Sequence, residues 1–346
     1  MKALIFDEKN SIKVVDKDKP SIQKPTDVIV KMTKTTICGS DLHILSGDVP
    51  AVTAGRTLGH EGIGIVEEVG SAVNNFKVGD RVLISCVTAC GLCENCKKGL
   101  YAHCKDGGWI LGHLIDGTQA EYVRIPHADN SLYPIPEGAD EEAMVMLSDI
   151  LPTGFEIGVL FGKVKPGDTI AIIGSGPVGM AVLLTAQFYS PAEIIMVDLD
   201  DNRLEVAKKF GATQVVNSSD GKAYEKIMEL THQKGVDVAI EAVGVPSTFL
   251  LCQEIVCAGG RIANVGVHGK SVDLHLDRLW IRNVTITTGL VGTNSTPMLL
   301  KTVTSGKLQP QQLITHHFGF NEVEKAYDVF KNASKNKALK VMISYE

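Results

Sequence analysis

At ~150 residues per domain, the 346 residues make about two domains. Apolar residues at 44% and charged residues at 21% supply a sizeable core and exclude disorder, collagen-like repeats and low complexity. With 34 basic against 40 acidic residues, a net charge of −6, only 5% aromatics and no basic run, no nucleic-acid partner is expected. A nucleic-acid groove needs phosphate-neutralising charge and stacking rings.

The N-terminal stretch Met1–Asn10 carries Asp7 and Glu8 and lacks a long apolar run, so no secretory leader is expected. Eight cysteines are too sparse for a disulfide scaffold, which points to a thiol-reducing, cytoplasmic setting. Residues 169–192 carry no charged side chain, a length that could suggest a membrane span. Gly174, Gly176, Pro177 and Gly179, followed by Gln187 and Tyr189, read instead as a buried strand, a glycine turn and a helix. No membrane span is expected.

The first 150 residues read as mainly β. Val28–Met32, Gly64–Val69 and Arg81–Ile84 are branched runs bounded by turn chemistry such as Val78-Gly79-Asp80 and Pro136-Glu137-Gly138. Cys38-Gly39-Ser40-Asp41-Leu42-His43 and Gly59-His60-Glu61 bring soft and borderline metal ligands. Each also has a plainer reading: Cys38 as a small buried residue, His60 as a satisfied loop histidine, Ser40 as a turn hydroxyl, His43 as an exposed helix residue, Asp149 as a helix cap before Pro152.

Cys90-x2-Cys93-x2-Cys96-x7-Cys104 gathers four thiols within 15 residues, with Gly91 and Gly99 easing the turns. Four thiolates close a tetrahedral shell around Zn2+ and leave no position for a substrate, so the site is expected to be structural. Iron–sulfur ligation is a rival, but Lys105 stands where the bacterial ferredoxin run has proline. A zinc ribbon that reads nucleic acid is another, and Lys97 and Lys98 against Glu94 make a poor phosphate-binding face. Cys86, Cys252 and Cys257 are expected in the core.

From about residue 168 strands and helices alternate. Strands are predicted at Thr169–Ile173, Ile194–Val197, Gln214–Val216, Val236–Ile240 and Arg261–Val265. Helices fall at Val178–Tyr189, Asn202–Phe210 and Lys222–Thr231 between them. That order implies a doubly wound parallel sheet. Helical segments Thr296–Ser305 and Glu322–Ser334 and a last strand, Lys340–Ser344, follow Thr293.

Gly174-Ser175-Gly176-Pro177-Val178-Gly179 follows a predicted strand and opens an apolar helix. The first glycine permits the turn, the second lets a pyrophosphate approach the backbone, and the third allows helix–strand packing. Asp198, 19 residues beyond Gly179, ends the next strand, where a carboxylate accepts from ribose hydroxyls and repels a 2′-phosphate. NAD is therefore expected ahead of NADP, although Arg203 could accommodate a 2′-phosphate. The plainer alternative makes Asp198 a loop cap and Arg203 a solvated charge.

Cys38-x-Ser40-x-x-His43, Gly59-His60-Glu61, the four-cysteine stretch, Gly174–Gly179 with Asp198, and Lys340-Val341 together resemble the zinc-dependent medium-chain alcohol dehydrogenase family, over essentially the whole chain. The resemblance implies an α/β protein: a GroES-like β-rich catalytic domain (1–150 and 293–346, with a structural zinc lobe near 86–108) and a Rossmann doubly wound parallel-sheet cofactor domain (151–292). It implies two Zn2+ per chain. Cys38, His60 and Asp149 would hold the catalytic ion, with Glu61 behind it as an alternate ligand facing Lys340, and Asp41 holding His60. Cys90, Cys93, Cys96 and Cys104 would hold the structural ion. Asp149 stands where many members carry cysteine. Ser148–Phe155 and Gly108-Trp109 look more like the bacterial secondary-alcohol dehydrogenases, which use aspartate, generally favour NADP and often lack the cysteine lobe. An Asp for Cys exchange keeps the formal charge of the ligand set and leaves the metal a somewhat stronger Lewis acid.

The resemblance further makes Ser40 and His43 the proton relay, with cofactor ribose hydroxyls between them. Thr153 and Val178 would back the nicotinamide, and Val265, Leu290 and Lys340 would flank the cofactor. Trp109, Leu290 and Val291 would line an apolar pocket, with Ser40 leaving room for secondary alcohols. The implied function is reversible NAD-linked hydride transfer between a small or medium alcohol and its aldehyde or ketone, in a homo-oligomer (dimer or tetramer). Polyol, threonine and formaldehyde dehydrogenases belong to the same family. A non-catalytic NAD- or zinc-binding protein is the rival of another class, and it would not need Ser40 and His43 at relay spacing.

Overall fold

A computed structural model describes residues 1–345. The chain forms two units, Ile150–Val291 and a second made of Met1–Asp149 with the segment from Gly292 onward. In the N-terminal part of the latter, β1 (Lys2–Glu8) and β2 (Ser11–Asp16) form an antiparallel hairpin. β3 (Val28–Thr36), β4 (Gly62–Val69), β5 (Arg81–Ile84), β6 (Tyr122–Ile125) and β7 (Leu132–Pro134) join a larger sheet, all paired antiparallel. Between β3 and β4 lies helix α1 (Gly39–Ser46). The Asp41 carboxylate accepts the backbone N–H of Cys38 at 2.9 Å, closing the first turn as a capping residue does.

The unit Ile150–Val291 opens on a helical turn, Ile150–Thr153, that runs into a π-helical stretch, Gly154–Leu160. A Cβ at Gly154 would stand 2.8 Å from Val182 N, so the following helix packs against bare backbone here. Six parallel strands follow: β8 (Thr169–Ile173), β9 (Glu193–Asp198), β10 (Gln214–Asn217), β11 (Val236–Glu241), β12 (Val256–Asn264) and β13 (Thr285–Thr288). Their order is β10-β9-β8-β11-β12-β13, which reverses direction of winding between β8 and β11. The helices α2 (Pro177–Ala186), α3 (Asp201–Lys209), α4 (Ala223–Leu230) and α5 (Pro246–Ile255) connect them. Buried runs such as Ile170–Ile173 and Ile194–Val197 reflect a sheet covered on both faces. The uncharged stretch 169–192 is thus β8, a turn, α2 and the start of the link to β9; among the described residues no helix is long and apolar enough to cross a membrane.

Beyond Gly292 come α6 (Thr296–Thr304), β14 (Ile314–Gly319), α7 (Val323–Lys331) and β15 (Lys340–Ser344). β15 lies between β14 and β3, giving the order β14-β15-β3-β4-β5-β7, with β6 also on β3. One core of this unit joins Leu4, Ile37, Ile44 and Leu58 to Val323, Tyr327, Val341 and Ile343 from the far end of the chain.

Two predicted helices are shorter than their patterns suggest. The one at Val178–Tyr189 ends at Ala186 and tightens into a 3-10 turn, because Ser190 adopts φ +49°. The one at Glu322–Ser334 breaks at Asn332, whose ψ of 40° leaves the helical range. The strand predicted at Arg261–Val265 begins earlier, at Val256, and Cys257 on it is half-buried rather than core.

Candidate metal and cofactor sites

Cys38 sits at the turn from β3 into α1, His60 at the entry to β4, and Asp149 one residue after Ser148, whose carbonyl accepts the Cys86 N–H at 3.0 Å. Gly59 precedes His60 with φ +89°, and a Cβ there would meet Gln119 Cγ and Thr118 Oγ1 at 2.7 Å. Only glycine fits that position without strain. The Thr35 and Thr118 hydroxyls both donate to the Glu61 carbonyl at 2.7 Å and hold the loop from the other side.

The result is a convergence of three unlike donors. Cys38 Sγ lies 3.5 Å from Asp149 Oδ2, His60 Nε2 lies 3.3 Å from the same oxygen, and one ligand atom from each residue falls within 4.8 Å of the others. Burial disfavours a charged His60, but the Asp149 carboxylate and the Cys38 sulfur outweigh it and drive its pKa well above the ordinary value. Burial, then Asp149 and Glu61, push the Cys38 thiol up. The Asp149 carboxylate contributes to both directions, and a cation at its oxygen would relieve that charge. One thiolate, one imidazole and one carboxylate fit a zinc ion with a remaining open position.

The surrounding groups partly depart from expectation. Glu61 and Lys340, each 1% exposed, form a buried ion pair with Oε2 to Nζ at 2.5 Å. The same carboxylate also accepts the Thr36 hydroxyl, and Lys340 Nζ donates to the Ile37 carbonyl at 3.1 Å. Glu61 therefore faces Lys340, as expected, and stands outside the three-donor set. Nor does Asp41 hold His60. Its Oδ2 accepts from Cys38 N and, at 3.2 Å, from Gln119 Nε2, while Oδ1 is buried without a partner. Tyr327 in turn donates to Gln119 Oε1 at 2.7 Å. Burial raises the pKa of Asp41.

Ser40 Oγ is 3.4 Å from His60 Nε2, beside the donor set. His43, one turn further along α1 and 37% exposed at its side chain, is held through Nδ1 by Asp48 Oδ2 at 2.9 Å. Trp109 packs edge-on to His60, with ring centroids 6.0 Å apart, and lies over His113 at 4.6 Å.

The four remaining cysteines of the expected pair of sites also converge within 4.8 Å. Cys93 Sγ is 3.5 Å and Cys90 Sγ 3.9 Å from Cys96 Sγ. Backbone N–H groups of Leu92 and Cys93 donate to Cys90 Sγ, and that of Cys90 to Cys104 Sγ, at 3.2–3.4 Å. Backbone donors of Cys96 and Lys105 bring the Cys93 thiol down to about 6, whereas burial takes Cys96 up to about 12. Four sulfurs with backbone N–H support fit a closed structural zinc site. All eight cysteines are free thiols.

In the unit Ile150–Val291 the glycine turn joins β8 to α2. Gly174 has φ +106°, a Cβ on Gly179 would lie 1.9 Å from the Gly174 carbonyl, and nothing stands within 4 Å of one on Gly176. The turn thus packs tightly at its ends and opens at its middle, where α2 presents its N-terminus. Asp198 binds this turn directly: Oδ2 accepts Ser175 N at 2.6 Å and Oδ1 accepts Asp200 N at 3.0 Å. Arg203 on α3 is half-buried, with Nε lacking a hydrogen bond. Pro177 starts α2, Val178 is half-exposed behind it, Thr153 ends the first helical turn, and Val265 follows β12. Leu290 is 46% exposed and Val291 is buried, so only Leu290 of that pair offers surface.

Four participants carry no sequence motif. Glu241 ends β11 and accepts from Val243 N, Gly244 N and Thr248 Oγ1, shaping the loop beside the glycine turn. Gln119, Asp48 and Cys86 are the others; Gln119 and Cys86 meet partners remote in sequence, whereas Asp48 binds His43 and Ser46 within five residues of it.

Residues 24–137 match the alcohol dehydrogenase GroES-like domain family and residues 177–305 the zinc-binding dehydrogenase family. An alcohol dehydrogenase of Cupriavidus necator is 35% identical over 99% of this chain and 98% of its own. An NADP-dependent isopropanol dehydrogenase of Thermoanaerobacter brockii is 34% identical, covering 95% of this chain and 96% of that one. The solved apo structure of a zinc dependent alcohol dehydrogenase 2 from Streptococcus pneumonia superposes with a TM-score of 0.96 at 62% identity, over 100% of this chain and 99% of the other. The chain belongs to the zinc-dependent medium-chain alcohol dehydrogenase family.

Proposed function

We propose that the protein is an alcohol dehydrogenase that interconverts a small or medium primary or secondary alcohol and its aldehyde or ketone, with NAD preferred to NADP. The observation that carries the reading is the convergence of Cys38, His60 and Asp149 with the Ser40 hydroxyl 3.4 Å from His60 Nε2. A structural or storage site has no use for a hydroxyl there. In the balanced reaction the alcohol loses a hydride to the oxidised nicotinamide and a proton to solvent.

Cys38, His60 and Asp149 would hold the catalytic zinc, and Cys90, Cys93, Cys96 and Cys104 the structural one. When bound, zinc supplies Lewis acidity toward the substrate oxygen, and the dinucleotide supplies the hydride acceptor. Ser40 accepts the hydroxyl proton at Oγ, and His43, fixed through Nδ1 by Asp48, receives it at the solvent-exposed end of α1. Trp109 against His60 gives the site an apolar wall that suits an alkyl or aryl substituent. The open middle of the glycine turn and the N-terminus of α2 would hold the pyrophosphate.

Asp198 supports NAD, because a 2′-phosphate would meet its carboxylate; about 1.4 kcal/mol of repulsion is tenfold in affinity. The Thermoanaerobacter relative is named NADP-dependent, and Arg203 is the residue through which this chain could follow it.

A spectrophotometric panel tests the reading. NADH and NADPH absorbance is followed with primary, secondary, aromatic and polyol substrates, before and after chelation, for the native protein and Ser40→Ala. The expected result is chelator-sensitive turnover, about tenfold better with NAD, that falls by ~10²-fold or more in Ser40→Ala while NADH still binds. Native protein that binds NADH but turns over none of the panel would return it to a binding role.

A further inference from the structure

Cys86 is a buried thiol outside the four-sulfur cluster that touches a member of the three-donor set without belonging to it. It lies two residues beyond β5, is 3% exposed, and its backbone N–H is tied to the Ser148 carbonyl at 3.0 Å. That bond fixes Cys86 beside the residue preceding Asp149. The two oxygens of Asp149 then face different partners. Oδ2 lies 3.5 Å from Cys38 Sγ and 3.3 Å from His60 Nε2, whereas Oδ1 lies 3.6 Å from Cys86 Sγ, an ordinary separation for a sulfur donor.

We infer that Cys86 is a positioning residue for Asp149. Its S–H donates to Oδ1, so that Oδ2 alone is aimed at the cation shared with Cys38 and His60. This rests on the reading that those three residues hold zinc. The physical case is the contrast between the donors. A carboxylate can close on a cation with both oxygens, which would fill the position a substrate needs; a thiolate cannot. Where aspartate stands as third ligand, a donor on the far oxygen preserves the one-atom grip. Partners of this kind orient ligands and set metal affinity by 10–100-fold. The S–H is a weak donor, so the lower end is expected.

The test compares the native protein with Cys86→Ala, Cys86→Val, Cys86→Ser and Asp149→Ala, each loaded with Co2+, with the four-cysteine cluster as a constant background. Two readouts are the cobalt d–d absorption and the half-time of metal loss to a chelator. In Cys86→Ala and Cys86→Val the carboxylate can turn both oxygens inward, five-coordinate cobalt absorbs more weakly than tetrahedral cobalt, and the d–d intensity falls. Metal loss accelerates about tenfold. Cys86→Ser keeps a donor of similar size and restores both readouts. Valine fills the volume without donating, so Cys86→Val decides between the outcomes if the alanine variant unfolds.

Native-like spectra and half-times in Cys86→Ala or Cys86→Val would overturn the inference. So would equal damage in Cys86→Ser, which marks a packing role, or loss of sulfur-to-cobalt charge-transfer intensity in Cys86→Ser, which makes Cys86 a ligand. If Asp149→Ala also leaves the spectrum and metal content unchanged, the zinc-ligand reading falls with it. Silent Cys86 variants beside a responsive Asp149→Ala remove only the positioning role.

Discussion

Glu61 and Lys340 are adjacent in space and 279 residues apart in sequence, and both are removed from water. Burial alone depresses the Lys340 pKa, but Glu61 reverses the direction and raises it. A base whose folded pKa is raised contributes stability that is fully present below its unfolded value and is lost only as pH climbs past the folded one, so the Lys340 contribution is present at neutral pH and fades only in the alkaline range. Removing one partner strands a buried charge. Lys340→Met should cost about 3–5 kcal/mol, and adding Glu61→Gln should recover much of that. Urea unfolding of both variants checks it; a double variant no more stable than the single one would show that the pair's worth is geometric and not a matter of stranded charge. Sequence reading could suggest that Glu61 faces Lys340 because both stood in recognisable motifs. Gln119, Tyr327 and Cys86 lay outside any motif. Their roles arise where segments remote in sequence meet, as in the hydrogen bond from Tyr327 on α7 to Gln119 across 208 residues. Asp41, legible as a partner for His60, in fact serves the backbone of Cys38, because its position on the first turn of α1 brings its carboxylate to that N–H first.

Elements that present the site are pinned by their ends. The segment entering Gly59-His60-Glu61 is held by Asp116, whose Oδ1 accepts Thr57 N at 3.0 Å and whose Oδ2 pairs with Lys17 at 2.6 Å, with Arg56 at 3.5 Å. Burial pushes the Asp116 pKa up, but Lys17, the Thr57 N–H and Arg56 outweigh it and the net direction is down. A carboxylate depressed on folding stabilises above its unfolded pKa, near 4, and loses that contribution as pH falls through the folded value. Asp116→Asn should therefore melt below the native protein at pH 7, with the gap closing as pH drops below about 4. A gap independent of pH would assign the residue a purely steric role. The elements themselves were unequally readable. Thr169–Ile173 and Lys340–Ser344 coincide with β8 and β15, because buried branched runs between turns have one good reading. The hairpin β1–β2, strand β6 and the π-helical stretch Gly154–Leu160 went unannounced. Short strands in mixed sheets lack a distinctive period, and the π-helix is imposed by close packing at Gly154 and Gly158 against Val182.

On the scale of the whole molecule, the chain completes its first sheet last. β15 is an interior strand, bonded to β14 on one side and to β3 on the other, and it brings Lys340 to Glu61 and Tyr345 to the Thr118 carbonyl at 2.9 Å. The unit Ile150–Val291 needs none of this, since its six strands pair among themselves over a separate core of residues such as Ile173, Val197, Ile227, Cys252 and Ile262. Ending the chain at Leu339 should therefore act on one unit selectively. β3 and β14 lose their common neighbour, Val341 and Ile343 leave the core that contains Leu4, Ile37 and Tyr327, and Glu61 is left buried without its cation. Breaking the ion pair alone is worth about 3–5 kcal/mol, and each large buried side chain removed adds about 2–5 kcal/mol, which together exceed the usual 5–15 kcal/mol of a domain's stability at its lower end. Amide hydrogen exchange resolves the two units peptide by peptide. The expected pattern is lost protection in β3, β4 and β5, with protection kept in β8, β9 and β11. Uniform loss across both sheets would mean that Ile150–Val291 depends on the other unit for its stability, and uniform retention would mean that the first sheet closes without its final strand.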